Sequence, residues 1–295
     1  MVKKEGDTMH KDIWTDRQIM LGAVPFEFYH YLDSAPPQVA PHQHPFYEIF
    51  FFLGGNVTYT IEGKTYPLRP GDILLTNTQD IHRPNIFPGK PYERIVLWLS
   101  ADFFQAIPGD AGGLSTCFSD AATKDYRLIR PGESDLIRLR NICSRISGAQ
   151  KSGKLGSDTL TYAYVLEFLI QICRCYYASG DAAHISDITQ DEKINGVIGY
   201  INEHISESLS LDQLAEAFFT SKFYLARKFR EYTGLSIYQY IIKRRLSIAR
   251  DALIQGDTVT DAFLRCGFGD YSNFLKAFKR EFGKTPKEFA KNNLL

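Results

Sequence analysis

Residues 259–289 read VTDAFLRCGFGDYSNFLKAFKREFGKTPKEF, and the punctuation inside this stretch decides the C-terminal fold. Asp257 or Thr258 just before it is a helix N-cap, because a short side-chain oxygen there accepts from an amide that the first turn leaves without a partner. The helix that follows runs to Cys266 and turns at Gly267–Phe268. Asp270 opens a second helix through Phe282, Gly283 stops it, and Pro286 lies beyond. Phe274 and Phe278 are four apart inside that helix, so they share one buried face. Two short helices joined by a tight turn make a helix-turn-helix unit.

The same pattern occurs upstream. Ser210 caps a helix whose core face is Leu211, Leu214, Ala215 and Phe218. Ser221 caps the next, which carries Phe223, Leu225, Arg227 and Phe229 to Thr233 before Gly234 ends it. Between the two units Ser236 opens a long helix, IYQYIIKRRLSIARDALIQ, that ends at Gly256. Nineteen residues rise about 28 Å, enough to set two recognition helices in successive major grooves roughly 34 Å apart.

The chain has 295 residues, 44% apolar and 23% charged, which suits two soluble domains with real cores. Its 34 basic and 34 acidic residues cancel, which excludes a polybasic coat. From Ser206 onward, however, 15 Lys/Arg face 10 Asp/Glu, a local surplus that points to nucleic acid. The 5 cysteines have no paired spacing and read as free buried thiols of a reducing compartment. The opening MVKKEGDTMHKDIW lacks an apolar run, so no signal peptide is expected and the location is cytoplasmic. The most apolar segment, Thr161 to Tyr177, is striped by Glu167, Gln171 and Arg174, so it is an amphipathic helix and no membrane is involved.

The first hundred residues read as β-structure. PFEFYHYL, YEIFFFLGG, NVTYTIEG and ERIVLWLS are short aromatic or β-branched runs broken by turns at Gly54–Gly55–Asn56, Glu62–Gly63 and Arg69–Pro70–Gly71–Asp72. From about Ser134 the period becomes helical. Leu136, Leu139, Ile142 and Ile146 mark one helix; Asp158 to Tyr177 is a second. That hairpin either covers the β-domain or, given its broad apolar face, dimerises through residues 134–177. The small polar run ASGDAAHIS leads out of it. The expected fold is therefore α+β in two domains. Residues 1–180 form a β-barrel or sandwich with a helical hairpin, 181–188 a linker, and 189–295 an all-α double helix-turn-helix.

The segments LSLDQLAEAFFTSKFYLARKFREYTGLS, YIIKRRLSIA and VTDAFLRCGFGDYSNFLKAFKREFGKTPKEF together resemble the AraC/XylS family of transcription regulators. The pattern G-F-x-D-x-S-x-F-x-x-x-F-K-x-x-x-G-x-T-P runs through the second unit without a gap. Two positions depart from the family's usual pattern: Ala262–Phe263 swaps a large and a small residue, and Thr220 replaces an apolar one. Both imply local repacking. The resemblance implies sequence-specific binding to a double-stranded operator, with RNA polymerase as a partner and an activator's role; the homodimer expected through residues 134–177 rests on the hairpin's apolar face.

Recognition helices present their exposed N-terminal side chains to base edges. The matching positions are Phe223, Ala226 and Arg227 in the first unit, and Tyr271, Ser272, Asn273, Leu275 and Lys276 in the second. Arg227 suits guanine and Asn273 adenine, and Phe223 and Ala226 suit thymine methyls. Lys222, Lys228, Lys243, Arg244, Lys279 and Lys284 are the candidate phosphate contacts, which position the domain without reading sequence.

In the N-terminal half, PHQHPFYEIFFFLGG, LRPGDILL and Ile81–His82 resemble the cupin-type sensor of the same family. His42, His44 and Glu48 share parity on an extended chain, with Phe50 and Phe52 on the same side and Ile49, Phe51 and Leu53 on the other. His82 arrives after the Gly71 turn. We expect His42, His44, Glu48, Phe50 and His82 to form an effector pocket with no cofactor. Aromatic walls with a few polar tips suit a carbohydrate, as the resemblance to sugar-responsive relatives also implies. The alternative is that His42, His44, Glu48 and His82 ligate a divalent metal such as Fe, Mn, Ni or Zn, although metal-binding cupins carry a Pro and a Gly where this chain has NTQD. That set would also permit a metal-responsive regulator or a metal-dependent enzyme with a DNA-binding tail, and Cys173/Cys175 a redox sensor.

Overall fold

The computed structural model describes residues 20, 25–109, 113–124, 126–179 and 188–293. The linker expected at 181–188 lies outside the described residues except for its last member. Among the described residues, eight antiparallel strands form two facing sheets. β1 (Phe26–Asp33), β2 (Tyr47–Gly54), β5 (Ile73–Thr76), β7 (Tyr92–Leu99) and β8 (Leu128–Ile129) make one, in the order β1-β7-β2-β5-β8. β3 (Val57–Ile61), β4 (Lys64–Pro67) and β6 (His82–Ile86) make the other, in the order β4-β3-β6. The parity of β2 sorts its side chains between two cores. Phe50 and Phe52 enter the space between the sheets with Tyr59, Tyr92 and Trp98. Ile49 and Phe51 face the opposite way, into a core closed by helices.

Those helices are α1 (Ala101–Gln105), α2 (Thr116–Thr123), α3 (Glu133–Ser152) and α4 (Ser157–Ala178). The pair α3–α4 is the expected hairpin, and Phe168, Leu169 and Ile172 of α4 are fully buried against the sheet. All five cysteines are free and buried.

The C-terminal domain is helical throughout. α5 (Glu192–Glu203), α6 (Leu211–Ala217), α7 (Lys222–Thr233) and the first half of α8 (Ile237–Ile254) enclose one core, in which Leu214, Leu225, Phe229 and Tyr240 are buried. The rest of α8 joins α9 (Val259–Arg265), α10 (Tyr271–Phe282) and α11 (Pro286–Asn293) around a second core, with Ala262, Phe274 and Phe278 inside. The caps form as the residue types dictate. Ser210, Ser221, Ser236, Thr258 and Asp270 each accept from a backbone amide of the first turn, worth about 1 kcal/mol apiece. Gly267 holds the turn of the second unit with φ 81°, and a Cβ there would lie 2.5 Å from the carbonyl oxygen of Ile205. Any other residue would push α9–α10 off the preceding loop.

Candidate functional sites: a DNA-reading face and a histidine-lined barrel

Each unit exposes the start of its second helix. On α7, Phe223 and Arg227 are exposed and Ala226 is half-buried. On α10, Tyr271, Ser272, Asn273 and Lys276 are exposed. Leu275 is different: it is half-buried and packs on the second core, so its side chain supports the helix. The Ala262–Phe263 swap also shows its effect here. Ala262 is fully buried, and the Phe263 ring stands edge-on to Tyr271 at 5.1 Å, fixing the direction of that exposed ring.

The candidate phosphate contacts divide in two. Lys279 and Lys284 are exposed. Lys222 and Lys228 are tied to Asp212 and Glu231 at 3.1 Å, pairs weak enough at the surface to exchange for a phosphate. Lys243 and Arg244 are placed otherwise. Lys243 Nζ is 2.5 Å from Glu281. Arg244 donates to the carbonyl oxygen of Gln79 at 2.7 Å and to Asn202 Oδ1 at 2.9 Å. In this arrangement Arg244 belongs to the contact between the domains and is withdrawn from any DNA surface.

That contact is built on α8. Tyr240 donates to the Glu62 carboxylate, Gln43 to the carbonyl of Lys243, and Arg250 to the carbonyl of Thr78. Thr65 and Thr189 exchange backbone hydrogen bonds. The β3–β4 turn is tight at Gly63, where a Cβ would come within 2.8 Å of Ile198 on α5. Burial pushes the Glu62 carboxyl up from its usual range, against the pull of Arg244.

Between the sheets, His42, His44 and His82 are buried with their ligand atoms within 4.8 Å of one another. His42 and His44 precede β2 on a segment that is extended only at the His42–His82 bridge, so they reach the site through that bridge and not through a continuous strand. Each ring faces a carbonyl oxygen through Nδ1: His42 to Ala40 at 2.9 Å, His44 to Phe46 at 2.9 Å and His82 to Asp80 at 2.8 Å. A carbonyl only accepts, so Nδ1 carries the proton in all three, and the Nε2 atoms point inward without a hydrogen-bond partner. Glu48 completes the group, accepting from Trp98 Nε1 at 2.7 Å and Tyr59 Oη at 3.2 Å, with His44 Nε2 at 3.4 Å. Burial alone would raise its carboxyl, but the neighbouring His44 outweighs it and holds Glu48 down at about 2. Burial pushes His82 down to about 4 and His42 well below the usual histidine range.

His42, Glu48 and Phe50 line the adjoining cavity, whereas His44 and His82 lie beside it. Sequence reasoning missed Tyr31 and Arg94, which line it too. Arg94 bonds Asp33 at 2.5 Å and stacks over Tyr92 at 4.1 Å. The parity of Arg94, Val96 and Trp98 on β7 was the signal available for it. The cavity itself is small, about 30 Å³, room for a water or two.

A sheet-rich domain with a polar pocket, joined to two helix-turn-helix units that each expose the start of the second helix, defines a class of two-domain DNA-binding regulator. The comparisons agree. Residues 26–186 match the AraC-like ligand binding domain family and residues 214–292 a helix-turn-helix domain family. The chain belongs to the AraC/XylS family and is a two-domain DNA-binding transcription regulator, not an enzyme. It is similar to the transcriptional activator RhaS of Enterobacter sp. (strain 638), with 28% identity over 266 residues covering 85% of this chain and 88% of that one. RhaS of Salmonella schwarzengrund is 26% identical over 262 residues, with the same coverage. Among solved structures, ToxT from Vibrio cholerae O395 aligns over 90% of this chain and 97% of its own at 14% identity, with TM-score 0.38. No helix among the described residues is long and apolar enough to cross a membrane.

Proposed function

We propose that the protein is a cytoplasmic transcription activator controlled by a small polar effector, a sugar, held in the barrel at His42, His44, Glu48, Phe50 and His82. The similarity to RhaS activators supports the sign of regulation. One observation carries the coupling. The adjacent side chains of Ile81 and His82 part ways: His82 lies in the barrel beside Glu48, while Ile81 is buried in the core shared by α5, α7 and α8. A ligand that moves His82 therefore displaces Ile81, provided it binds the two arrangements with different affinity. The pocket must open to admit a sugar. Arg227 and Asn273 read bases, Lys279 and Lys284 hold phosphates, and the exposed Ile137 and Leu155 on the α3–α4 hairpin favour a homodimer.

The test is fluorescence anisotropy on a selected operator with and without a panel of neutral sugars. At least one sugar is expected to change DNA affinity tenfold, and His82→Ala to abolish that response. DNA affinity indifferent to every sugar would overturn the reading.

A second reading is favoured by the three inward Nε2 atoms without partners. Three imidazoles, each fixed through Nδ1 by a backbone carbonyl, and a carboxylate ionised at neutral pH fit a divalent transition metal held by His42, His44, His82 and Glu48. Bound there, the ion would supply a Lewis-acidic anchor for an effector's hydroxyls. Metal analysis of the purified protein, with a melting midpoint lowered by chelator and restored by one cation, separates this reading from the first.

A further inference from the structure

We propose that the cleft between the two domains is a second ligand site, which takes a neutral, hydroxyl-rich small molecule such as a polyol or a monosaccharide. Its volume is about 420 Å³, within the range of small-molecule sites and far above that of the barrel cavity. It is also chemically unlike the barrel. Asn77 and Gln79 from the N-terminal domain and Asn195 and Asn202 from the C-terminal one line it. Parts of these amides are already engaged: Asn77 Oδ1 accepts from the Gln79 and Asp80 amides, Gln79 Nε2 donates to Asp251, Asn195 Nδ2 to Gln190, and Asn202 Oδ1 accepts from Arg244. What a ligand meets is the other function of an amide, which both donates and accepts. The Oδ1 atom of Asn195 is buried with no hydrogen bond reaching it, an acceptor that a ligand hydroxyl would satisfy.

The charges in the lining cancel. Arg127 makes two 2.9 Å hydrogen bonds to Asp80, and Arg244 is 3.9 Å from Glu62. Two guanidinium groups against two carboxylates leave no net charge to draw an anion or a cation. No aromatic ring lines the cleft among the described residues, so recognition rests on hydrogen bonds. Gly199 on α5 leaves room: a Cβ built there meets nothing within 4 Å. Because each domain supplies part of the wall, a ligand here binds the docked arrangement and shifts the population toward it. This site stands independently of the barrel pocket.

Calorimetric titration of the full chain with D-mannitol, D-glucose and D-xylose, and with D-glucuronate and glucose 6-phosphate as charged counterparts, tests it. At least one neutral compound should bind, with its charged counterparts tenfold or more weaker. Gly199→Leu, which fills the cleft, should lower that affinity at least tenfold. Gly199→Ala and Gly199→Leu should melt no lower than the parent, since both raise helix propensity. The proposal is overturned if no neutral compound binds, if a charged counterpart binds more tightly, or if Glu48→Gln removes binding and Gly199→Leu does not. That last pattern would place the ligand in the barrel.

Discussion

The two helix-turn-helix units follow one local pattern but keep different company. The first shares its core with the N-terminal domain: Ile81 is buried among residues of α5, α7 and α8. The second closes its core with its own aromatic residues, Phe274 and Phe278 inside and Phe282 and Phe289 packed against them. Hydrogen bonds from the N-terminal domain reach α8 at Tyr240, Lys243, Arg244, Arg250 and Asp251, and reach Thr189. A change in the N-terminal domain thus meets the first unit directly and the second through α8. A single fold of DNA-reading helix can serve as the governed half or the autonomous half, depending on what completes its core.

The largest blow to this asymmetry is Arg127→Ala. It leaves Asp80 buried without its bidentate partner, at a cost of about 3–5 kcal/mol, read by urea unfolding. Because Asp80 adjoins Ile81, hydrogen exchange should rise in α5–α7 before α9–α11. Uniform loss of protection across both units would break the comparison.

Acid attacks the same strand from its other face. His82 sits at about 4 in the fold against 6.5 for a free histidine, so between those values the unfolded chain holds a proton that the native one lacks. Stability is therefore complete above about pH 6.5 and is lost as pH falls toward 4, by about 3 kcal/mol for this group. Glu48, near 2 in the fold against 4.5, adds a further loss below pH 4.5. Melting midpoints measured from pH 7.5 to 4.5 should fall steadily, and His82→Asn should flatten the curve. Ile81→Ala comes next, at about 2–3 kcal/mol for a buried side chain truncated at a domain contact. Its effect on exchange should stay within the first unit.

How much of this is legible in the sequence differs by the range of the interaction. The caps Ser210, Ser221, Ser236, Thr258 and Asp270 and the β2 parity that separates Phe50 from Phe51 are local, and sequence spacing encodes them. Arg244 is the counter-example. In KRRLSIAR it reads as one more cation on a basic helix, because its partners Gln79 and Asn202 are 165 and 42 residues away. Glu62, next to a hairpin glycine, gives no sign that it meets Tyr240 178 residues on. The helices α1 and α2 leave no trace in the pattern, being 5 and 8 residues long, too short for periodicity to show. His42 and His44 fall on the correct side by an alternation that their segment mostly does not adopt. Their convergence comes from the bridge to His82, a long-range pairing.

The DNA contacts give the smallest and most discriminating tests. Arg227→Ala and Asn273→Ala should each cost about 1–3 kcal/mol at one operator position and relax the preference there. Effector sensitivity should be the larger part of what Arg227 loses, since α7 lies in the unit that Ile81 helps to close. Lys279→Ala is the control beneath both. Its exposed ammonium reads no base, so specific and random DNA should weaken alike, and the slope of log affinity against log salt should flatten by about 0.9. If Arg227→Ala instead behaves as Lys279→Ala does, weakening all sequences equally, α7 holds the backbone and only α10 reads. The governed unit would then set how tightly the protein holds DNA and the autonomous unit where it binds, which sharpens the division between them.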